Sequence, residues 1–322
     1  MVDSAAFPPA IDPLERRRIG STALTVTRLG VGGGSSFTRA GDDLLDACWD
    51  AGLRHFDTSP LYASGDSERR FGKALAGRPR AEFVLSTKVG RLGERAFGYS
   101  AADVRASLER SLERLGLDRV DMVMIHDVDP DLHGENFERC FALAMGETYP
   151  VLERLRAQGA IGAVGVGVKN WDVCLRFARA GNFDCFMLAG GYTLLQHGSL
   201  AEFLAHCAAH RISVMVAAPY NTGILATGSI EGARYYYQPA PPEILARVRA
   251  LEVVCARHDT PLAAAALQFP LHHPAVASVV VGHSHAEEVH RNLALLRRPI
   301  PPALWVELKQ AGLIPAAAPT PR

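Results

Sequence analysis

Short apolar runs alternate with amphipathic stretches along most of the chain. The first run, TRLGVGG, ends in glycines at 30–34, and a helical pattern follows at 42–52. The next pairs are RHFD with the helix SERRFGKALAG, then FVLSTK (83–88) with AADVRASLERSLERLG (101–116). After them come VDMVMIHD (120–127), IGAVGVGVKN (161–170), FDCFMLAG (183–190), ISVMVAAP (212–219) and AVASVVVGHS, each followed by helical periodicity. Several runs are continuously apolar, as strands covered on both faces should be. Eight such strand–helix pairs in one chain predict a single (β/α)8 barrel rather than an open doubly wound sheet. Ahead of the first pair, residues 14–27 offer two β-prone runs around a polar turn, so an N-terminal β-hairpin is expected. A further helix is expected at the C-terminal end.

The domain reading is therefore one barrel over 14–313. A Pro/Ala-rich lead (1–13) and a low-complexity tail (314–322) are expected to be disordered and flexible. Loops 128–136 and 220–241 both follow strands, on the face where a barrel keeps its specificity. The chain has 322 residues, 34 basic and 34 acidic, so its formal net charge is zero. That balance removes the usual electrostatic reason to expect nucleic acid or an anionic membrane as partner. No run is long enough to span a membrane, and the N-terminus lacks a signal-like pattern, so a cytoplasmic protein is expected. The six cysteines have no C-x-x-C spacing and read as buried free thiols. Oligomeric state is not legible in one sequence.

Chemistry concentrates between Arg54 and Gly72. Asp57 ends the RHFD run, Tyr62 follows in a Pro/Ser/Gly-rich loop, and Ser67 is placed as the N-cap of the next helix. Lys88 ends the third strand and His126 lies near the end of the fourth. Singly, each has an ordinary structural use: a capping acid, a solvated strand end, a packed phenol, a buried imidazole. Jointly they suggest proton transfer from a tyrosine. A free phenol has a pKa near ~10, and a nearby cation favours its ionised form. A buried carboxylate would keep that lysine charged, and His126 would orient or relay the proton.

FDTSPLY followed by SERRFG, then STKVGR, then DMVMIHD resembles the signature set of the aldo-keto reductase superfamily. The resemblance runs from about Leu14 to Leu313. It implies a (β/α)8 enzyme that moves a hydride between a nicotinamide cofactor and a carbonyl or alcohol. It makes Tyr62 the general acid/base, Lys88 and Asp57 the pair that tunes it, and His126 the orienting partner. For the cofactor it implies Asn170 on the carboxamide, with Lys169 and Ala189 standing where the family has serine and glutamine. Tyr192 becomes the aromatic that stacks on the nicotinamide. Pro219, Asn221, Gly223 and Leu225 become the pyrophosphate loop, and Gly282, Ser284, Glu288 and Asn292 the adenosine corner. Family members that prefer NADP carry Lys or Arg near 282–284 or at 288. Glu288 would repel a 2′-phosphate and could accept from a free 2′-hydroxyl, so NAD is expected, with NADP the alternative.

Within the family, GGYTLL, YNTGILATG and APPEILARVRALEVVCARH resemble a bacterial D-threo-aldose 1-dehydrogenase group that includes L-fucose and L-galactose dehydrogenases and a pyridoxal 4-dehydrogenase. That implies oxidation of the C1 hydroxyl of a cyclic hemiacetal to a lactone, the aldose being of the L-fucose, D-arabinose or L-galactose kind. The alternatives are pyridoxal 4-dehydrogenase, a general aldehyde or ketone reductase and, in another class, a cofactor-sensing regulatory subunit. Tyr235, Tyr236 and Tyr237, with His133, Asn136 and Phe137, are candidates for the substrate rim. A metal-dependent hydrolase would draw on His55-x-Asp57 and His283-x-His285, but no further ligands are evident at the strand ends, so no metal is expected. GVGGGS at 30–35 lacks the spacing of a dinucleotide-binding fingerprint.

Overall fold

The computed structural model describes residues 10–37, 40–41 and 43–321. Residues 1–9 of the expected lead, Asp42 of the first helical pattern and Arg322 of the tail lie outside the described residues. The strands are β1 (Arg16–Arg18), β2 (Thr25–Thr27), β3 (Leu29–Gly32), β4 (His55–Asp57), β5 (Val84–Val89) and β6 (Met122–His126). They continue with β7 (Ala163–Val168), β8 (Cys185–Ala189), β9 (Ser213–Ala217), β10 (Arg234–Tyr235), β11 (Gln238–Pro239) and β12 (Val276–Val281). Strands β3 to β9 and β12 close into a parallel barrel in which β12 joins β3 to β9. This is the (β/α)8 architecture that the alternating pattern predicts.

The apolar runs conceal a two-residue period that the closed sheet reveals. Leu85, Val89, Val123, Ile125, Val164, Val166, Phe186, Leu188, Val214 and Val216 point outward into the large core beneath the helices. Their alternates, Val84, Met122, Met124, Ala163, Cys185, Met187 and Met215, form a smaller core inside the barrel. At roughly 1.5–3 kcal/mol per fully buried large aliphatic side chain, the outer layer is the main source of stability. The inner row holds smaller or more flexible residues because eight converging strands leave little room. Gly30 illustrates the limit: a Cβ there would lie 2.6 Å from Nδ1 of His55.

The β1–β2 hairpin is antiparallel. It sends Ile19 and Val26 into the inner core beside Val84 and Met122, sealing the N-terminal end of the barrel. Polar side chains are thereby left to the other end. Residue Ala101 to Leu115 shows how the outer layer is written locally. Ser100 accepts from Asp103 N at the helix start, and Gly116, at φ 62°, ends it. Val104, Ser107, Leu108, Ser111 and Leu115 form its buried stripe.

Three expectations change. Ser67 is not an N-cap. It lies inside the helix Asp66–Leu75, fully buried, with its hydroxyl donating to Gly33 O (2.9 Å) and meeting the Thr58 hydroxyl (2.8 Å). The left-handed Gly65 (φ 88°) occupies the cap. The loops at 128–136 and 220–241 carry short helices, Pro130–His133 and Ile224–Thr227, and the second also holds the β10–β11 hairpin. Ile11 near the start and Ile314 and Ala318 near the end are buried in the outer core, so both peripheral segments have apolar anchors that their composition did not suggest. The extra helix spans Pro302–Gln310. Among the described residues no helix is long and apolar enough to cross a membrane.

Candidate active site

The inward row ends, at the open mouth, in chemistry. Ser86 and Lys88 follow Val84 on alternate positions of β5, and His126 follows Met122 and Met124 on β6. Asp57 is in register with Ser86 across the β4–β5 pair. Lys88 Nζ lies 2.6 Å from Asp57 Oδ2 and donates to Thr58 O at 2.8 Å. Ser86 Oγ donates to the other Asp57 oxygen at 2.6 Å. Lys88 and Asp57 are 1% and 2% exposed, so the pair is shielded from screening by salt.

Tyr62 follows on a pinned loop. Its N–H donates to Ser59 O (3.1 Å), and Ala63, Ser64 and Gly65 are consecutive left-handed residues. Two non-glycine residues at positive φ are a local strain that the surroundings must hold. Glu68, fully buried, takes hydrogen bonds from Thr87 Oγ1 and Arg114 Nε, both at 2.6 Å, and so ties the following helix to β5. The half-buried Tyr62 ring has Lys88 Nζ 4.8 Å from its centroid and stands edge-on to His126 at 6.0 Å between centroids. The structure thus brings Asp57, Tyr62, Lys88 and His126 to one corner.

The electrostatics correct one expectation. Burial raises the Tyr62 pKa above the ordinary phenol value, and the Asp57 and Asp127 carboxylates push the same way. Lys88 pulls it down, but not by enough, so the resting phenol is protonated at neutral pH rather than ionised. For Lys88, burial works to lower the pKa, yet Asp57 and Tyr62 together raise it, so the ammonium persists. Burial also drives His126 down to about 3, with Lys88 and Arg91 assisting against Asp127. His126 is therefore a neutral imidazole, with Nδ1 3.3 Å from Ser59 Oγ.

The opposite edge of the mouth fits a dinucleotide less literally than expected. Asn170 ends the β7 segment and its amide donates to Asp129 Oδ1 at 2.7 Å. Tyr192 is no stacking partner: it is fully buried in the outer core, 5.0 Å from the Phe269 ring and 5.8 Å from His273. The resemblance implied a place at the mouth, but the ring lies in the outer core behind the sheet. Leu225 is likewise fully buried, and its N–H is spent on Tyr220 O (3.1 Å). Pro219 is buried, and Gly223 is left-handed at the start of the short helix. Asn221 is more suggestive: its Oδ1 is buried with no partner among the described residues, and its backbone is left-handed together with Ala218 and Thr222. Such runs aim backbone N–H groups into anion-sized concavities.

In the adenosine corner, Gly282 is exposed and faces Ser36. Glu288 Oε2 accepts from Ser284 N at 2.7 Å, closing the turn that leads into the helix Ala286–Arg297. Asn292 is buried and engaged internally, accepting from Tyr220 OH (2.8 Å) and lying 3.1 Å from His283 Nε2. It fastens the loop after β9 to the loop after β12, a use the sequence did not reveal. At the rim, Tyr236 lies against the mouth, where a Cβ on Gly190 would be 3.7 Å from its ring. Tyr235 is tied to Gln196, and Tyr237 is exposed. Phe137 packs toward Phe141 and Arg176, Asn136 is exposed, and His133 joins Tyr99 and Phe97. His55 sits deep in the barrel 3.1 Å from Ser278 Oγ, and among the described residues no three of His, Cys, Asp or Glu gather as a metal site. Arg91, Asp127 and Ser59 are residues of the corner that sequence reasoning did not single out. The STKVGR and IHD segments held the first two in plain view.

The Aldo/keto reductase family model matches residues 26–312. A D-threo-aldose 1-dehydrogenase of Pseudomonas sp. is 37% identical, over 92% of this chain and 97% of its own length. A pyridoxal 4-dehydrogenase of Microbacterium luteolum is 36% identical, over 93% of this chain and 98% of its own. Among solved structures, an aldo-keto reductase of Bacillus halodurans in its holo form is 26% identical with a TM-score of 0.76, covering 94% of this chain and 97% of its own.

Proposed function

The chain belongs to the aldo/keto reductase family, an NAD(P)-dependent oxidoreductase by that membership, and from this premise we propose that it oxidises the C1 hydroxyl of a cyclic aldose to a lactone, with NAD. The observation that carries the chemistry is the Lys88–Asp57 pair at 2.6 Å beneath the Tyr62 ring. A bound nicotinamide supplies the hydride acceptor in oxidation and the hydride donor in reduction. Tyr62 takes the proton of the C1 hydroxyl in oxidation and returns it to the carbonyl oxygen in reduction. Lys88 stabilises the phenolate that the first event requires, and Asp57 holds the ammonium in place. The neutral His126 hydrogen-bonds the reacting oxygen and fixes its direction toward Tyr62.

Asn221, with its unpartnered Oδ1, Gly223 and the Gly282–Ser284 segment would hold the cofactor, with Asn170 at the nicotinamide end. The preference for NAD rests on Glu288. Its carboxylate already occupies the N-terminus of the helix Ala286–Arg297, where a 2′-phosphate would otherwise find favourable backbone charge. The aldose reading draws on the relatives that act on aldoses; pyridoxal is the second candidate because another relative acts on it.

The test is a matrix of steady-state rates, NAD and NADP against L-fucose, D-arabinose, L-galactose and pyridoxal. The highest kcat/KM is expected for an aldose with NAD, with lactone as product. A pyridoxal preference, turnover restricted to NADPH-linked reduction, or tight NAD(H) binding with negligible turnover on every substrate would each overturn it.

A further inference from the structure

Asp127 directly follows His126, yet its backbone leaves the strand in the left-handed region at φ 54°. A non-glycine residue held there is strained, and the scaffolding around it is extensive. Its N–H donates to Gly167 O at 3.0 Å. Its carbonyl accepts from Tyr99 OH at 3.2 Å and from His133 Nε2 at 3.0 Å. The strain turns the carboxylate back over the site. Oδ2 lies 3.5 Å from His126 Nε2 and 2.5 Å from Arg91 Nη1. Arg91 is itself braced by Glu94 O at 3.3 Å. The Asp127 side chain remains 13% exposed. It is close enough to Tyr62 to oppose ionisation of the phenol.

A carboxylate that hinders its own general base demands another use. We propose that Asp127, set by Arg91, is a specificity residue that accepts a hydrogen bond from the substrate hydroxyl on the carbon adjacent to the reacting one. The reacting oxygen is placed by Tyr62 and His126 Nε2, and vicinal oxygens lie about a hydrogen-bond length apart. The second oxygen of an α-hydroxy carbonyl or a cyclic aldose therefore falls beside Oδ2. Arg91 fixes the carboxylate rotamer and offers guanidinium hydrogens to that oxygen's lone pairs. This deepens the proposed function: the site selects an α-hydroxylated substrate, and an unsubstituted aldehyde leaves the Asp127–Arg91 pair without its partner. The inference rests on Tyr62 and His126 marking the reacting oxygen, and it does not need the lactone-forming direction.

The experiment compares matched substrates in both directions: an aldose with its 2-deoxy analogue, and glyceraldehyde with propanal. Asp127→Asn is expected to lower kcat/KM for the hydroxylated member of each pair about 10–100-fold, mainly through KM. Removing the carboxylate next to His126 and Tyr62 also alters turnover of the member lacking the hydroxyl, so the quantity read is the ratio of the two kcat/KM values, which should fall about 10-fold or more. NADH binding, followed by fluorescence, should be unchanged. Equal losses for both members would reveal a merely structural role, and no loss would remove any role; either overturns the proposal. Should Asp127→Asn fail to fold, Arg91→Met carries the test, because a freed carboxylate weakens the same preference several-fold; an unaltered preference there overturns it. A wild-type enzyme that oxidises no aldose but prefers glyceraldehyde to propanal in an Asp127-dependent way would sink the lactone reading and support this one.

Discussion

Where β4, β5 and β6 end, Asp57, Ser86, Lys88 and Thr58 are closed on one another by hydrogen bonds of 2.6–2.8 Å. Where β8, β9 and β12 end, the mouth is built from loops, and side chains such as Asn292 and Tyr220 bond within the protein. Asn221 Oδ1 there stays buried without a partner among the described residues. The first region must keep a charge at a fixed place whether or not a ligand is present. Both Asp57 oxygens therefore have a partner inside the protein, as a preorganised site requires. Under the proposed function the second would hold a polyanion with backbone groups, so its side chains are free to fasten loops, as Asn292 and Tyr220 do. The lesson, under that proposal, is that a proton-handling corner would be recorded in residue identities and a dinucleotide edge largely in backbone shape.

The sharpest way to separate the two regions is Tyr62→Phe. Losing the general acid/base should cut hydride transfer by about 10²–10⁴-fold while NADH binding, titrated by fluorescence, stays near wild type. Comparable turnover in that variant would break the assignment. The raised phenol pKa adds a signed corollary. Oxidation needs the deprotonated phenol, so its kcat/KM should climb with pH past neutrality and toward the alkaline limit of the protein. Reduction needs the protonated form and should stay flat over the same range until the phenol ionises. A pH profile with the opposite slopes would contradict the role.

Next in size is Lys88→Met. Stranding a buried Asp57 should cost about 3–5 kcal/mol of stability, read from the urea midpoint, together with most of the activity. A melt and midpoint like wild type would mean that water reaches the pair and that the corner is not the closed unit described.

On the cofactor edge the effects should be smaller. Glu288→Lys is expected to move the NADP-to-NAD preference toward NADP by roughly three- to thirty-fold, measured as the ratio of the two Kd values. An unmoved ratio would place the ribose away from this helix. Smallest of all should be Tyr192→Phe. It removes a buried hydroxyl that has no partner among the described residues, so stability should change by less than about 1 kcal/mol and NADH affinity not at all. A large loss of NADH affinity in that variant would restore Tyr192 to the cofactor and erase the contrast.

The alternation of apolar runs and helices was legible because each βα unit must bury one face of a helix on a sheet covered on both sides. The four residues of the corner were legible for a related reason. Asp57, Lys88 and His126 sit at strand ends, where chain position alone dictates that side chains reach the open mouth. Ser67 misled because a serine before a charged helical run looks like a cap, and only the closeness of Gly33 and Thr58 shows that its hydroxyl is spent inside. Arg91 and Asp127 were not singled out because neither carries a distinguishing spacing, and their ion pair joins residues 36 positions apart.

Strand order, helix faces and the placement of Asp57, Lys88 and His126 at strand ends are therefore properties that local chemistry and period write into the chain. Which way Tyr192 turns, whether Asn292 meets a ligand or a neighbouring loop, and how burial outweighs Lys88 at Tyr62 depended on contacts between distant segments. A pKa, like the direction of a buried ring, is a sum over everything that surrounds it, and that sum exists only once the barrel has closed.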